Sequence, residues 1–298
     1  MTDGSDERSE TSSLIVALAG APNVGKSTLL NRVLGLTLSI ATPKPQTTRT
    51  RVLGVHSIGS TQLVFTDTPG IHAASGLLNE RMVSTARAGL RDADITCWLV
   101  GAERGVTTTD VIELANLNAR ALVVAINKID RVAKGRVLPL IDELAHLASD
   151  AEIFPISARS GEGVDALLRY LVSRAQPGPW LYDADAVTDR PVRFFVAEMV
   201  REQLFLQLSE ELPYRVAVKV DAFEERRPKT YIEATIYTDR DSAKKIIVGR
   251  DGARIKEIGR CARRAMEDFL RTPVFLQLYV RVQKDWKTDP RFLKDVGL

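Results

Sequence analysis

The fold of this chain is decided by one glycine-rich stretch, Gly20-Ala21-Pro22-Asn23-Val24-Gly25-Lys26-Ser27. It lies between an apolar run, Leu14–Ala19, and a segment of helical character, Ser27–Leu34. A buried strand, such a loop and a helix together expose backbone N–H groups and direct the positive end of the helix toward an anion. The stretch therefore predicts a phosphate-binding loop, in which Lys26 reaches the terminal phosphates and the Ser27 hydroxyl binds Mg²⁺.

Bulk composition describes a chain of about two domains, because 298 residues correspond to roughly 150 per domain. A hydrophobic content of 45% and a charged content of 27% are typical of soluble globular proteins. Two distant cysteines and three scattered histidines exclude a disulfide framework and a zinc site. Residues 1–13 are polar and predict a disordered tail, and no apolar run approaches the ~18 residues of a membrane span. These features predict a cytoplasmic protein.

The charge of the chain is unevenly distributed. Pro191–Leu298 contains 22 Lys and Arg against 17 Asp and Glu, a net charge of +5, whereas Met1–Arg190 has a net charge of −2. A basic C-terminal part suggests a polyanionic partner for that part.

Short apolar strands alternate with helical segments through residue 175, which predicts an α/β domain over 14–175 with a mostly parallel sheet. The predicted strands are Leu14–Ala19, Arg51–Ser57, Gln62–Thr66, Ile95–Val100, Ala121–Ile126 and Glu152–Ile156. The predicted helices are Lys26–Leu34, Leu77–Arg91, Thr108–Asn118, Val137–Ala148 and Val164–Arg174. The short turn at 58–60 makes the second and third strands an antiparallel hairpin.

Residues 176–191 are rich in proline, glycine and acids, and predict a linker. The following domain, 192–298, has the order helix, strand, strand, helix, helix, strand. Its predicted segments are Phe194–Leu208, Arg215–Ala222, Thr230–Thr238, Ser242–Ile247, Ala253–Leu270 and Val274–Val282.

Three further motifs follow predicted strands of the first domain: Asp67-Thr68-Pro69-Gly70, Asn127-Lys128-Ile129-Asp130 and Ser157-Ala158-Arg159. The first can hold the Mg²⁺ water shell through its carboxylate and meet a γ-phosphate through the Gly70 N–H. The Asp130 carboxylate can accept two hydrogen bonds from guanine, whereas adenine would leave it unpaired. The third can support the base through a backbone N–H. All three lie where open α/β sheets bind ligands.

With these four motifs in one order, the first domain resembles the Ras-like translation-factor GTPases. The resemblance implies guanine specificity, Mg²⁺ and GTP hydrolysis. It also assigns a metal-binding threonine to the polar loop Ser39–Arg49, where Thr48 is the matching residue. Ser27, Thr48 and Asp67 are the expected Mg²⁺ ligands, and the expected catalytic residues are Lys26, Thr48, Asp67 and Gly70. The expected nucleotide-binding residues are Gly20, Ala21, Pro22, Asn23, Val24, Gly25, Lys26, Ser27, Thr28, Asp67, Thr68, Pro69, Gly70, Asn127, Lys128, Asp130, Ser157, Ala158 and Arg159.

One departure from the Ras pattern bears on the rate of hydrolysis. Ile71 stands where Ras carries the glutamine that orients the attacking water, so intrinsic hydrolysis is expected to be slow. Relatives with an aliphatic residue there and an asparagine in the phosphate loop use K⁺, which implies K⁺ as an additional cofactor with Asn23 as a ligand.

The second domain carries its own signal in Ile246–Gly259, where Gly249 and Gly252 bracket a turn between two helices. Paired glycines allow a phosphodiester to approach closely, and isoleucines and cations surround them. The segment resembles a type II KH domain, which binds about four nucleotides of single-stranded RNA. The expected RNA-binding residues are Lys244, Lys245, Ile247, Gly249, Arg250, Asp251, Gly252, Arg254, Ile255 and Lys256.

A Ras-like domain followed by a KH domain resembles the bacterial GTPases that bind small-subunit ribosomal RNA. This resemblance implies binding near the 3′ end of that RNA during assembly of the small ribosomal subunit, by a monomer with peripheral association at the inner face of the cell membrane. One alternative keeps the GTPase and makes the C-terminal domain a module that docks on a protein or membrane surface. Another, a metabolic kinase, leaves the Asn127–Asp130 motif unexplained.

Overall fold

The structure is a computed structural model and describes residues 11–42, 44, 47–69 and 77–298. The described residues fall into two compact units. The first unit contains those of 1–36, 51–71 and 86–189. The second contains those of 37–50, 72–85 and 190–298.

The first unit is an α/β fold, in which helices connect the strands of one sheet. Its elements, with the first half of α2 grouped in the second unit, are β1 (Ser12–Gly20), α1 (Lys26–Leu34), β2 (Val52–Ile58), β3 (Thr61–Asp67), α2 (Leu77–Asp92), β4 (Ile95–Gly101), α3 (Thr108–Ala115), β5 (Leu122–Asn127), α4 (Val137–Leu147), β6 (Glu152–Pro155), α5 (Val164–Ser173) and β7 (Gln176–Pro177).

The sheet has the strand order β2-β3-β1-β4-β5-β6, and β7 pairs with the start of β1. Strands β3, β1, β4, β5 and β6 are parallel, and β2 is antiparallel to β3 around the turn at 59–60. This confirms the predicted mostly parallel sheet and its hairpin. Ala17 and Ala19 of β1 are fully buried with Trp98, Val124 and Ile126 of the neighbouring strands. Burial on this scale explains why the central strands are continuous apolar runs.

The second unit is built around a three-stranded sheet of order β10-β9-β8. Its elements are α6 (Val192–Gln207), β8 (Val216–Arg226), β9 (Lys229–Thr238), α7 (Asp241–Val248), α8 (Ala253–Leu270), β10 (Val274–Val282) and α9 (Pro290–Asp295). Strand β9 is antiparallel to β8 and parallel to β10. The predicted order of helices and strands is confirmed. Helix α9 was not predicted, and Trp286, fully buried beside Phe292, closes the core near it.

The ends of the first domain differ from the sequence-based prediction. Residues 1–10 lie outside the described residues, but β1 begins at Ser12, so the predicted tail of 1–13 extends too far. The segment predicted as a linker packs on the first unit: β7 extends the sheet, and Val55 N donates to Val187 O at 2.8 Å. Backbone hydrogen bonds of this kind depend on distant partners, which local composition does not reveal. Helix α3 also ends at Ala115, three residues before the predicted end.

The described part of the polar loop at 39–49 is anchored in the second unit. The buried Arg49 guanidinium donates to Val216 O at 2.6 Å and to Pro213 O at 3.2 Å. The polar composition of the loop does not show which carbonyl groups would hold Arg49. Pro43, Pro45 and Gln46 lie outside the described residues.

Among the described residues, no helix combines the length and the apolar character needed to cross a bilayer.

Candidate functional site

The phosphate loop joins β1 to α1 and requires glycine at both of its motif positions. Gly20 has φ +130° and Gly25 has φ +104°, which L side chains rarely adopt. A Cβ atom at Gly20 would lie 2.4 Å from Leu99 O, and one at Gly25 would lie 2.2 Å from Asn127 Nδ2. Both glycines are therefore needed by the conformation of the loop and by its close approach to neighbouring chain segments.

Lys26 lies at the start of α1, and its side chain is buried beneath the loop. Its Nζ donates to Gly20 O at 2.9 Å and to Ala21 O at 3.1 Å. Burial lowers the pKa of Lys26 to about 8, although the nearby carboxylates Asp67 and Asp110 partly oppose this shift. A desolvated ammonium held in this position is suited to pair with phosphate oxygens.

Binding of GDP is expected to be accompanied by proton uptake at Lys26. In the free protein the pKa of Lys26 is about 8, so the amine is partly neutral near pH 8. Anionic phosphates favour the ammonium form, so uptake should rise from near zero at about pH 7 to about half a proton at pH 8 and more at about pH 9. Calorimetry in buffers of different ionisation enthalpy measures this number. Uptake that is independent of pH over this range would contradict the assignment.

Two of the three residues expected to bind Mg²⁺, Ser27 and Asp67, lie together at the end of β3. Ser27 Oγ donates to Asp67 Oδ2 at 2.7 Å, and the Asp67 side chain is fully buried. Thr68 Oγ1 donates to Leu18 O at 2.9 Å and fixes the chain after Asp67. A hydroxyl and a carboxylate are hard oxygen donors of the kind that Mg²⁺ prefers beside phosphate. Gly70 and Ile71 lie outside the described residues.

Asn127 connects three parts of the site rather than contacting solvent. Its Nδ2 donates to Val24 O of the phosphate loop at 2.8 Å, and its Oδ1 accepts from Lys128 N at 2.8 Å and from Ala158 N at 2.9 Å. The side chain is buried, so these bonds satisfy its polar atoms. Asn127 therefore holds the phosphate loop against the loops that follow β5 and β6.

The Asp130 carboxylate is exposed just beyond β5, and it has no hydrogen bond or ion pair within the described part of the chain. Lys128 precedes it with φ +67°, and Lys128 Nζ lies 3.4 Å from Glu103 Oε2. The turn thus exposes Asp130 to solvent, while the neighbouring Lys128 is paired with Glu103. This is the arrangement needed for a carboxylate that accepts two hydrogen bonds from guanine.

The backbone N–H groups of the loop after β6 differ in whether they already have a partner. Ser157 and Ala158 are buried, and the Ala158 N–H is already bonded to Asn127 Oδ1. The Arg159 N–H is the next donor along the loop and has no partner among the described residues. The support for the base that was predicted for this loop is therefore assigned to Arg159 N–H.

In the second unit, the predicted glycine turn lies between α7 and α8. Gly249 and Gly252 both have φ +75°, and Asp251 between them has φ +51°. Helix α8 begins directly after Gly252 with no side-chain cap, and its Ala253 N–H donates to Arg250 O, so the positive end of the helix dipole faces the turn. Lys244, Lys245, Arg250 and Lys256 are exposed around this turn. The turn has the properties of a phosphodiester-binding site.

A groove with a volume of about 390 Å³ lies between α8 and β10. Ile255 and the two leucines of β10 provide apolar surface, and the cations of α8 lie along one wall. Its lining residues are Ile255, Lys256, Gly259, Arg260, Arg263, Leu276, Gln277 and Leu278. Neither the β10 residues nor the far part of α8 were among the predicted RNA-binding residues. The alternation of side chains along β10 predicts which residues share a face of the strand, but it does not predict that one face borders a groove.

One predicted RNA-binding residue, Ile247, is not exposed, and another, Arg254, has a partner within the chain. Ile247 is fully buried in the core of the unit, whereas its neighbour Ile246 is 47% exposed. The helical turn places adjacent residues about 100° apart, so the exposed isoleucine was misidentified by one position. The Arg254 guanidinium donates to Ile246 O at 2.9 Å and closes the end of α7. The roles of Thr28 in α1 and of Thr48, which groups with the second unit, stay predictions.

Two family models match the chain. One, described as a 50S ribosome-binding GTPase, matches residues 15–128, and the KH domain model matches residues 211–287. These ranges contain the phosphate loop and the glycine turn, respectively. The two domain types predicted from the motifs are confirmed.

Curated relatives match over nearly the whole chain. "GTPase Era" of Syntrophus aciditrophicus is 45% identical over 95% of this chain and 94% of its own length. "GTPase Era" of Geobacter metallireducens is 45% identical over 95% of this chain and 96% of its own length.

Two solved structures share the fold of the complete chain. One is an Aquifex aeolicus Era variant bound to GDP·AlF4⁻, and the other is Era in complex with MgGDPNP and nucleotides 1506–1542 of 16S ribosomal RNA. Each has a TM-score of 0.92 and 38% identity, and each match covers 96% of this chain and 99% of the solved chain. On these matches and on the geometry of its two sites, the chain belongs to the Era family of GTPases.

Proposed function

We propose that the protein is a GTP-hydrolysing switch that binds unpaired RNA at the 3′ end of small-subunit ribosomal RNA during assembly of the small ribosomal subunit. The observation that carries this proposal is the groove between α8 and β10, which joins an apolar floor to a wall of cations. The Era complex with a 16S ribosomal RNA fragment supports the choice of RNA. The guanine-binding turn at Asp130 supports the choice of nucleotide.

The groove has the chemistry that unpaired nucleotides need. Apolar side chains such as Ile255 and Leu276 can contact the faces of unstacked bases, and Lys256 and Arg263 can neutralise phosphates. Duplex RNA cannot present its base faces in this way, because they are stacked within the helix. The proposal therefore includes a preference for single-stranded over double-stranded RNA.

We also propose that Mg²⁺ is bound through Ser27 and Asp67. Both oxygens lie at the phosphate loop, and a single carboxylate suits an ion that retains waters and takes its other ligands from phosphate. The described residues contain no cluster of three or more His, Cys, Asp or Glu suited to a metal, so no all-protein cage competes with this assignment. When bound, Mg²⁺ would supply positive charge for the phosphate oxygens during hydrolysis.

The experiment that tests the proposal compares RNA affinity in two nucleotide states. Filter binding of a single-stranded RNA with the 3′-terminal sequence of small-subunit ribosomal RNA is measured with GDP and with a non-hydrolysable GTP analogue. A switch requires the two affinities to differ, and coupling of this kind is typically about 5- to 150-fold. A scrambled single strand and a duplex of the same sequence are the controls. Equal affinities in the two states would contradict the switch.

Failure of RNA to bind in either state would favour the alternative, in which the C-terminal unit docks on a protein or a membrane. Sedimentation with anionic vesicles tests whether the C-terminal unit docks on a membrane. The same experiment tests our proposal that the protein is a cytoplasmic monomer that associates peripherally with the membrane. Sedimentation velocity of the free protein examines the monomer. Binding to neutral and anionic vesicles alike would contradict an electrostatic association.

We further propose that K⁺ accelerates hydrolysis with Asn23 as a ligand. Asn23 is exposed at the phosphate loop with φ +65°, and Ile71 cannot orient a water molecule. GTP hydrolysis in K⁺ should exceed that in Na⁺ at equal ionic strength by about tenfold, the effect of ~1.4 kcal/mol on the barrier. Asn23→Ala should reduce the difference. Identical rates in the two salts would exclude a role for K⁺.

A further inference from the structure

Arg32 connects the helix of the phosphate loop to the loop that follows β6. Its Nε donates to Ala158 O at 3.1 Å, and its Nη2 donates to Arg159 O. Arg32 belongs to α1, the helix that also carries Lys26 and Ser27 at its first positions. One helix therefore contacts both the phosphate end of the nucleotide site and the loop assigned to the base.

At 157–161 in the loop after β6, the backbone N–H groups other than that of Arg159 already have partners. Ser157 N donates to Glu162 O at 2.8 Å, Gly161 N donates to Ser157 O at 2.8 Å, and Ser160 N donates to Ser157 Oγ at 3.1 Å. Ala158 N donates to Asn127 Oδ1. Each of these donors is occupied, which leaves the Arg159 N–H as the donor at 157–161 that has no partner among the described residues.

The direction of this donor follows from the planarity of the peptide group. In a trans peptide, the C=O of one residue and the N–H of the next point in opposite directions. Because Arg32 binds Ala158 O, the Arg159 N–H of the same peptide group points away from Arg32. Arg32 also binds Arg159 O and so restrains the peptide group on the other side of Arg159.

We infer that Arg32 is a positioning residue for guanine recognition, which aims the Arg159 N–H at the C6 carbonyl oxygen of the base. This inference rests on the proposed guanine specificity, in which Asp130 accepts the ring N–H and the exocyclic amine. A backbone donor for the remaining polar group of that base edge completes the recognition. Adenine has an amino group at this position and would meet the N–H with another donor.

The chemistry of the link requires arginine. A guanidinium presents several donors in one rigid plane, so two of its N–H groups can hold two adjacent carbonyl oxygens at once. An ammonium on a flexible stem keeps the charge but lacks this fixed geometry. Lysine at this position should therefore restore little of the effect.

The test measures affinities for GDP and for 6-thio-GDP, in which a weakly accepting sulfur replaces the C6 oxygen. At neutral pH the wild-type protein should prefer GDP by about fivefold, the value of one ordinary hydrogen bond. Arg32→Ala should weaken GDP binding by about fivefold and leave 6-thio-GDP within about twofold, which removes the preference. Arg32→Lys should resemble Arg32→Ala. Arg169→Ala, which removes an exposed arginine from α5, should keep the wild-type preference.

Equal weakening of both nucleotides in Arg32→Ala would show that Arg32 only stabilises the fold and would overturn the inference, as would an unchanged preference. The lysine variant retains the charge and the stem, so it provides the same comparison if the alanine variant does not fold. Loss of guanine selectivity in the wild-type protein would instead contradict the proposed function. The two failures are therefore distinguishable.

Discussion

Replacing Asp130 by asparagine is expected to weaken GTP binding by about 100- to 1000-fold and to make xanthosine triphosphate the preferred nucleotide. The carboxylate accepts both the ring N–H and the exocyclic amine of guanine. An amide keeps one acceptor and brings two donor hydrogens, which face the guanine amine. Xanthine has a carbonyl in place of that amine, so the new amide can donate to it while the amide oxygen accepts the ring N–H.

The structure makes Asp130→Asn a clean substitution. Asp130 is exposed and has no hydrogen bond or ion pair elsewhere in the described chain, so its replacement by an isosteric amide breaks no internal contact. Competition of each triphosphate against a fluorescent nucleotide gives the two affinities. Asp150→Asn, at another exposed aspartate of the same unit, is the matched control and should leave the preference for GTP unchanged. Retained preference in the Asp130 variant would mean that another group selects the base.

The part of the nucleotide site that could be predicted is the part written in short contiguous motifs. Gly20 and Gly25 are needed by the local backbone, and Lys26, Ser27 and Asp67 lie at element ends that the hydrophobic pattern locates. The placement of these residues in the nucleotide site therefore follows from their positions in the sequence.

The roles that could not be predicted depend on partners far apart in sequence. Asn127 bonds to Val24 and Ala158, and Arg32 bonds to the same loop from α1. Neither link has a local pattern, because it exists only after β1, β5 and β6 have assembled side by side. The sequence therefore predicted a backbone donor in this loop, and only the three-dimensional bonds single out the N–H of Arg159.

The fold shows the same division between local and non-local information. Apart from β7 and α9, the strands and helices of both units were located within a few residues, because apolar periodicity and glycine stops determine them. The contacts of the polar segments could not be predicted in this way. Arg49 is an example, because it binds the carbonyl oxygens of Pro213 and Val216. The β10 residues that line the groove between α8 and β10 likewise could not be predicted from local sequence.

Replacing Gly252 by aspartate is expected to weaken RNA binding by about 100-fold, a much larger effect than the modest loss of stability that a side chain causes at φ +75°. Gly252 precedes α8, and a carboxylate there would face the phosphates that the turn is proposed to bind, so charge repulsion replaces attraction. The fold should tolerate the change, because a Cβ atom at this position meets only Ile255 Cγ2, at 3.9 Å. Aspartate also accepts a positive φ better than most residues, which limits the strain at this position.

Gly252→Asn separates charge from shape. Asparagine has nearly the same size and backbone preference as aspartate but no charge, so this variant should retain most of the RNA affinity of the wild-type protein. Gly249 offers no such comparison, since a Cβ atom there would lie 2.8 Å from Arg254 Cβ and distort the turn itself. Filter binding and thermal melting of both Gly252 variants provide the measurement. If the aspartate variant binds RNA as tightly as the wild type, the polynucleotide does not pass this turn; if both variants lose affinity equally, it needs the space rather than the charge.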